Sequence, residues 1–200
     1  MTLSARMRLP RPVDRLAAFR DLLADTDGPV LDCGAGGRRH PRVISLEYVD
    51  HPGNDIRADG QALPFRSDSF ALVLSQAVIE HVPNPQAYAN EIVRVLRPGG
   101  LVWIEGAFLQ PVHQAPAHYF NVTPFGLAHL FREIEVVEQC QIGSMRDWWR
   151  WMAVETGATR HLTANQLATM EVAMRTLDAS MTPVERWNVS SGVGLLGRKP

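Results

Sequence analysis

The chain offers acidic residues and glycines at the ends of apolar runs, a pattern suited to holding a small ligand. The first such segment is Val30-Leu31-Asp32-Cys33-Gly34-Ala35-Gly36-Gly37. An apolar run of strand length passes directly into a glycine-rich turn. In an open α/β sheet, ligands bind outside the carboxyl ends of the strands. Glycines there let a ligand approach the backbone closely. The segment therefore makes Asp32, Gly34, Ala35 and Gly36 candidate contacts for a nucleotide-type ligand, with an ordinary tight turn as the plain alternative. A dinucleotide site usually carries a third spaced glycine, which packs the helix that holds the pyrophosphate. Arg39 occupies that position, so a nicotinamide-dependent oxidoreductase is a poor fit.

S-adenosylmethionine has no pyrophosphate. It brings a sulfonium cation, an amino acid end, a ribose and an adenine, and an acid such as Asp32 suits its positive charge. Glu47 closes a second strand-like run, Val43-Ile44-Ser45-Leu46-Glu47-Tyr48. A carboxylate there can accept hydrogen bonds from both ribose hydroxyls, although it could also be a solvated strand end. Glu47 follows Asp32 by only 15 residues, fewer than the ~20 usual in dinucleotide folds. Pro41 ends any helix between them, so that helix should be stunted.

The third segment is Asp59-Gly60-Gln61-Ala62-Leu63-Pro64-Phe65. From here the chain resembles the S-adenosylmethionine-dependent class I methyltransferases of the small-molecule type. The match continues through Ser67-Asp68-Ser69-Phe70 to Glu80-His81-Val82, and then through Glu91 to Arg97-Pro98-Gly99-Gly100. It covers about residues 29–131. The resemblance implies that Asp59 bonds the adenine amino group and that the backbone of Gly60, Gln61 and Ala62 meets the ring. It also places cofactor and substrate contacts just after the fourth strand, at Gln76 and His81. His81 could instead pack locally.

The segment 108–124, rich in His, Gln, Pro and aromatic residues, should be a long loop. Histidine is the side chain most suited to proton transfer at physiological pH, so His113 and His118 could remove a proton from a substrate hydroxyl or amine; they are the candidate catalytic residues. Two histidines five apart could also bind a metal. No cysteine or third histidine lies beside them in sequence, so no metal ligand is assigned. Trp148, Trp149 and Trp151 point to a small core or a dimer contact more than to a substrate pocket.

Apolar runs of strand length at 29–33, 43–48, 56–59, 70–75 and 101–105 must position these groups. Helical spacing is clear over 13–23 and from Pro85 to Leu96. Such alternation predicts a Rossmann-like three-layer α/β sandwich, with a mainly parallel sheet and helices on both faces. Strand-like runs at 135–142 and 189–197 bring the count to seven, and the resemblance implies that these last two form a hairpin with the final strand antiparallel. The expected divisions are a tail and helix over 1–28, a cofactor-binding core over 29–144, a helical insertion over 145–187 and a final core strand over 188–200. Helices are read from Met145 to about Ala164 and from Gln166 to about Ala179.

The chain has 200 residues, 46% of them apolar, 20% charged, and a net charge of −1. These values fit one globular domain and give no basic groove for nucleic acid. Arg6, Arg8 and Arg11 make only the N-terminal tail basic. No apolar run reaches membrane-spanning length, and no secretory signal is evident. Cys33 and Cys140 suit no disulfide framework. The expectation is a cytoplasmic methyltransferase using S-adenosylmethionine on a small-molecule acceptor, without nucleic acid or membrane partners. The aromatic insertion offers a homodimer surface. The rival is a degenerate domain of the same fold that binds without catalysis.

Overall fold

The computed structural model describes residues 15–113 and 117–200. The N-terminal arginines, Val13 and Asp14 of the expected first helix, and residues 114–116 lie outside them. Seven strands form one sheet: β1 (Val30–Cys33), β2 (Val43–Glu47), β3 (Ile56–Arg57), β4 (Phe70–Gln76), β5 (Leu96–Ala107), β6 (Glu135–Ile142) and β7 (Gly192–Arg198). Their order is β3-β2-β1-β4-β5-β7-β6. β1 to β5 run parallel, and β7 lies antiparallel between β5 and β6. This is the expected mixed α/β architecture.

The sheet's centre is dry because its strands are apolar on both faces. All four residues of β1 are buried, as are six of the seven in β4. Successive side chains alternate between two cores. On one face Leu31, Cys33 and Val73 pack with Tyr88, Ile92 and Val95 of α2 (Pro85–Val95) and with Leu127 of α3 (Pro124–Leu130). On the other, Val30, Leu72, Leu74 and Trp103 pack with Leu23 of α1 (Arg15–Asp25). Local chemistry fixes the helix starts. Asn84 caps α2 through Ala87 N and Thr123 caps α3 through Gly126 N, each followed by proline.

Three local expectations need correction. The helix expected to be stunted between β1 and β2 is absent: among the described residues, α2 is the sole α-helix between β1 and β5. The Arg97-Pro98-Gly99-Gly100 stop lies inside β5, which begins at Leu96; pairing with β4 shifts register between Phe70 and Leu72 to absorb the extra length. The helical insertion has three α-helices, not two: α4 (Met145–Glu155), α5 (Ala164–Ser180) and α6 (Pro183–Asn188). Gly157, at φ +59°, ends the first early. Thr182 and Glu185 form a capping box that starts the third. No residue of α4 or α5 is buried, so Trp148, Trp149 and Trp151 do not form a core.

Tyr88 ties the layers together. Its side chain is fully buried, its hydroxyl lies 2.7 Å from Ser75 Oγ, and it donates to the Cys33 carbonyl at 3.3 Å. Burial, above all, pushes its pKa well above the ordinary phenol value. Tyr88→Phe would strip the buried Ser75 hydroxyl of this partner. The expected cost is about 1–2 kcal/mol, read from urea unfolding, with the far-UV spectrum unchanged. An unaltered unfolding midpoint would show that the tie contributes nothing.

Candidate functional site

The glycine turn after β1 folds over the end of β2. Gly34 N and Ala35 N both donate to the Leu46 carbonyl, at 2.9 and 3.1 Å. Gly34 has φ +85°, and a Cβ there would meet Val78 Cγ2 at 2.1 Å. Only glycine fits. The Glu47 carboxylate accepts from Gly36 N at 2.6 Å and from Tyr48 N at 3.1 Å. Ala58 N then donates to the Glu47 carbonyl at 3.0 Å, carrying the rim to Asp59. Asp59 Oδ1 accepts from Gln61 N at 2.8 Å, and Ala62 N returns to the Asp59 carbonyl at 3.0 Å. Gln61 Oε1 accepts from Asn84 N at 3.0 Å, tying this loop to the start of α2. Gly60 lies on the Tyr88 ring, where a Cβ would come within 2.4 Å of a ring carbon. Gly34, Ala35, Gly36, Glu47, Asp59, Gly60, Gln61 and Ala62 thus form one hydrogen-bonded rim at the carboxyl ends of β1, β2 and β3.

Asp32 differs from the expectation of an acid open to a cationic ligand. It is buried, and Arg38 Nε and an Arg38 terminal nitrogen each bond one of its oxygens at 3.0 Å. Its charge is answered within the protein. Cys33 beneath the turn has its pKa pushed up to about 12, chiefly by burial, so it remains a thiol and offers no nucleophile.

Gln76 closes β4, and its Nε2 donates to Glu105 Oε1 at 2.9 Å. Trp103 Nε1 donates to the same oxygen at 2.8 Å. Beside them opens a cavity of about 890 Å³. Ala77, Glu105 and Gly106 line it from the sheet, and Met145, Trp151 and Arg175 from the insertion. Sequence reasoning missed Glu105 and Ala77. A charge closing the apolar run 101–104 was the available signal for Glu105. Ala77 has φ +56°, a backbone state that costs on the order of 1 kcal/mol for a non-glycine residue and leaves no mark in sequence.

The histidine loop lies against the cavity through His113, whose ring centroid is 4.9 Å from that of Trp151. Trp151 therefore belongs to the cavity rather than to a separate core. His81 joins the histidine loop, not the glycine rim: its Nδ1 lies 2.7 Å from the Ala117 carbonyl and must donate to it. His118 turns inward. Its Nε2 donates toward Phe120 O and Asn121 Oδ1, and its Nδ1 faces His113 N and Nδ1 at 3.4 and 3.1 Å. Both its ring nitrogens are occupied in the loop, so of the two candidate catalytic histidines only His113 faces the cavity. Among the described residues, no helix is long and apolar enough to cross a membrane.

Residues 31–104 match a family described as a methyltransferase domain. An uncharacterized methyltransferase of Mycobacterium tuberculosis is 49% identical over 55 residues, which are 28% of this chain and 22% of that protein. The chain thus aligns with only about a fifth of that relative's length. The cyclase SpnF, described as a [4+2]-cyclase, superposes with a TM-score of 0.59 at 17% identity, covering 92% of this chain and 81% of its own. The 1,6-didemethyltoxoflavin-N1-methyltransferase of Burkholderia thailandensis, solved with S-adenosylhomocysteine, gives 0.56 at 19% identity, covering 92% and 77%. At these identities the structural likeness speaks for the fold. The matched segment, 31–104, holds the glycine turn, Glu47, Asp59 and Gln76, and over that segment the chain is similar to methyltransferase domains.

Proposed function

We propose that the protein transfers a methyl group from S-adenosylmethionine to a small molecule held in the cavity beside β4 and β5. The continuous glycine and carboxylate rim carries this reading: its Gly34 abuts Val78, the chain neighbour of Ala77, which lines a cavity of about 890 Å³. Glu47 would exchange its bonds to Gly36 and Tyr48 for the ribose hydroxyls. Asp59, already oriented by Gln61, would meet the adenine amino group. Bound there, the cofactor supplies an electrophilic methyl carbon. An oxygen, nitrogen or carbon of the acceptor attacks that carbon in line, the sulfur–carbon bond breaks, and its electron pair stays on sulfur. The leaving group is already good, so the protein's contribution is mainly positioning. An acceptor that must lose a proton would do so at the His113 end of the cavity.

Calorimetric titration tests the cofactor. S-adenosylmethionine should bind with micromolar affinity, Glu47→Ala and Asp59→Ala should each weaken it at least ~10-fold, and NAD should not bind. Absence of binding to folded protein would favour a degenerate domain that serves as a binding module. The acceptor can be sought by scanning hydroxyl- and amine-bearing compounds for S-adenosylhomocysteine release. With an acceptor whose nucleophile loses a proton, His113→Ala should lower kcat by ~10²-fold or more and leave the cofactor's KM within about twofold. An unchanged kcat would remove His113 from the reaction.

A further inference from the structure

Glu80 is 1% exposed, and among the described residues neither of its carboxylate oxygens has a hydrogen-bond partner. Burying such a group unpaired is costly. The loop amides of Tyr119 and Phe120 bond the Glu80 backbone carbonyl, at 2.8 and 3.4 Å, rather than its side chain. The carboxylate instead sits with two imidazoles. One carboxylate oxygen of Glu80 and one ring nitrogen each of His81 and His113 lie within 4.8 Å of one another.

The hydrogen bonds of the two histidines settle which nitrogen each can offer. His81 Nδ1 donates to the Ala117 carbonyl at 2.7 Å, and His113 Nδ1 lies 3.1 Å from the Pro111 carbonyl. A carbonyl only accepts, so Nδ1 carries the proton in both rings. That leaves Nε2 of each with its lone pair. Metal-binding histidines characteristically donate their other ring nitrogen to a backbone carbonyl or carboxylate, which fixes tautomer and orientation. His118 adds a further restraint, its Nδ1 set 3.1 Å from His113 Nδ1. Three ligand groups, two of them already held in the metal-binding tautomer, converge where a buried carboxylate lacks a partner among the described residues.

We propose that Glu80, His81 and His113 bind a divalent first-row transition metal at the edge of the cavity. Two imidazoles and one carboxylate favour zinc, manganese, iron(II) or cobalt over magnesium, which prefers an all-oxygen shell. Metal–nitrogen bonds of ~2.1 Å require the three groups, whose ligand atoms lie within 4.8 Å of one another, to draw in around the cation. Three protein ligands leave coordination positions open toward the cavity, where Glu80 and His113 are both lining residues. An oxygen of the acceptor can take one of them. The cation site stands on its own geometry; its use for the acceptor rests on the methyl-transfer reading. With the cation bound, His113 acts through it: the coordinated hydroxyl loses its proton to solvent more readily, and the resulting oxygen anion attacks the methyl carbon.

The test uses the full chain, free of affinity tag and stripped with chelator, without cofactor. Calorimetry with zinc and with manganese should show one site. Glu80→Gln and His113→Ala should each weaken it at least ~10-fold, while His161→Ala, on the exposed surface, should leave it unchanged. Cobalt(II) should give visible d–d bands with the wild type that His113→Ala abolishes. Thermal unfolding and S-adenosylmethionine affinity of each variant report its fold separately, so failure of the metal site is distinguishable from failure of the cofactor reading. No metal binding by the wild type, or equal affinity in folded Glu80→Gln and His113→Ala, would overturn the proposal.

Discussion

The buried phenol of Tyr88 is the constraint on which the candidate site depends. One side chain from α2 reaches the end of β1 at the Cys33 carbonyl and the end of β4 at Ser75. Its ring supports Gly60 from below. Three of the four loops that bear candidate cofactor contacts therefore take their positions from a single residue. Dispersion alone would allow sliding between helix and sheet. A hydrogen bond deep in a dry core does not, because misplacing it leaves two polar groups unsatisfied. The glycine at position 60 follows from this arrangement, since any side chain there would displace the ring.

The region between β1 and β2 shows how a fold can lose a helix and keep its turn. In dinucleotide folds the third glycine lets a helix pack close to the strand. Here no helix follows, so that demand disappears and Arg39 is tolerated. Arg39 does structural work of another kind. It bonds the carbonyls of Gly36, Pro52 and Gly53, at 3.0, 3.0 and 2.6 Å. Arg38 bonds the Gly34 carbonyl at 2.9 Å as well as Asp32. Two guanidinium groups thus satisfy carbonyls that lie outside regular structure. Arginine suits the role because its planar fork presents several donors at once. The departures from the dinucleotide pattern and the missing helix are one physical adaptation.

These relations explain what could be read in advance. The strands β1, β4 and β5 were legible because fully buried parallel strands are continuous apolar runs. α2 was legible because Asn84-Pro85 caps it and Tyr88, Ile92 and Val95 repeat on one face. The glycine rim was legible because its glycines answer local demands that only glycine meets. What stayed hidden depends on contacts between distant segments. Arg38 and Asp32 are six residues apart, yet nothing in their types announces that they neutralise each other. His81 and His113 are separated by 32 positions, and only the loop's return over the turn after β4 brings their rings to centroids 5.0 Å apart. The early end of α4 at Gly157 was available as a helix-stop signal, but the apolar residues beyond it masked the break.

The two sides of the cavity are built on different physics. The sheet side is set by apolar burial and hydrogen bonds: Glu105 is buried and accepts from Gln76 and Trp103, and Ala77 N donates to the Glu105 carbonyl at 3.1 Å. The insertion side has no buried residue in α4 or α5. Polar contacts join those helices instead. Asp178 accepts from Met145 N and Arg146 N, at 2.9 and 3.0 Å, and Glu171 pairs with Arg146 and Arg150. The hydrogen bond from Arg146 is the main cause of Glu171's lowered pKa. Ion pairs near the surface, as these partly buried ones are, contribute little to global stability, and segments held by them open at lower free energy than a packed core. A rigid wall carrying the reactive groups and a more easily opened wall carrying Trp151 and Arg175 give the cavity a fixed chemistry with an adaptable boundary. Substitutions in α4 and α5 can therefore reshape what the cavity admits without disturbing the glycine rim, because among the described residues neither apolar core includes a residue of α4 or α5.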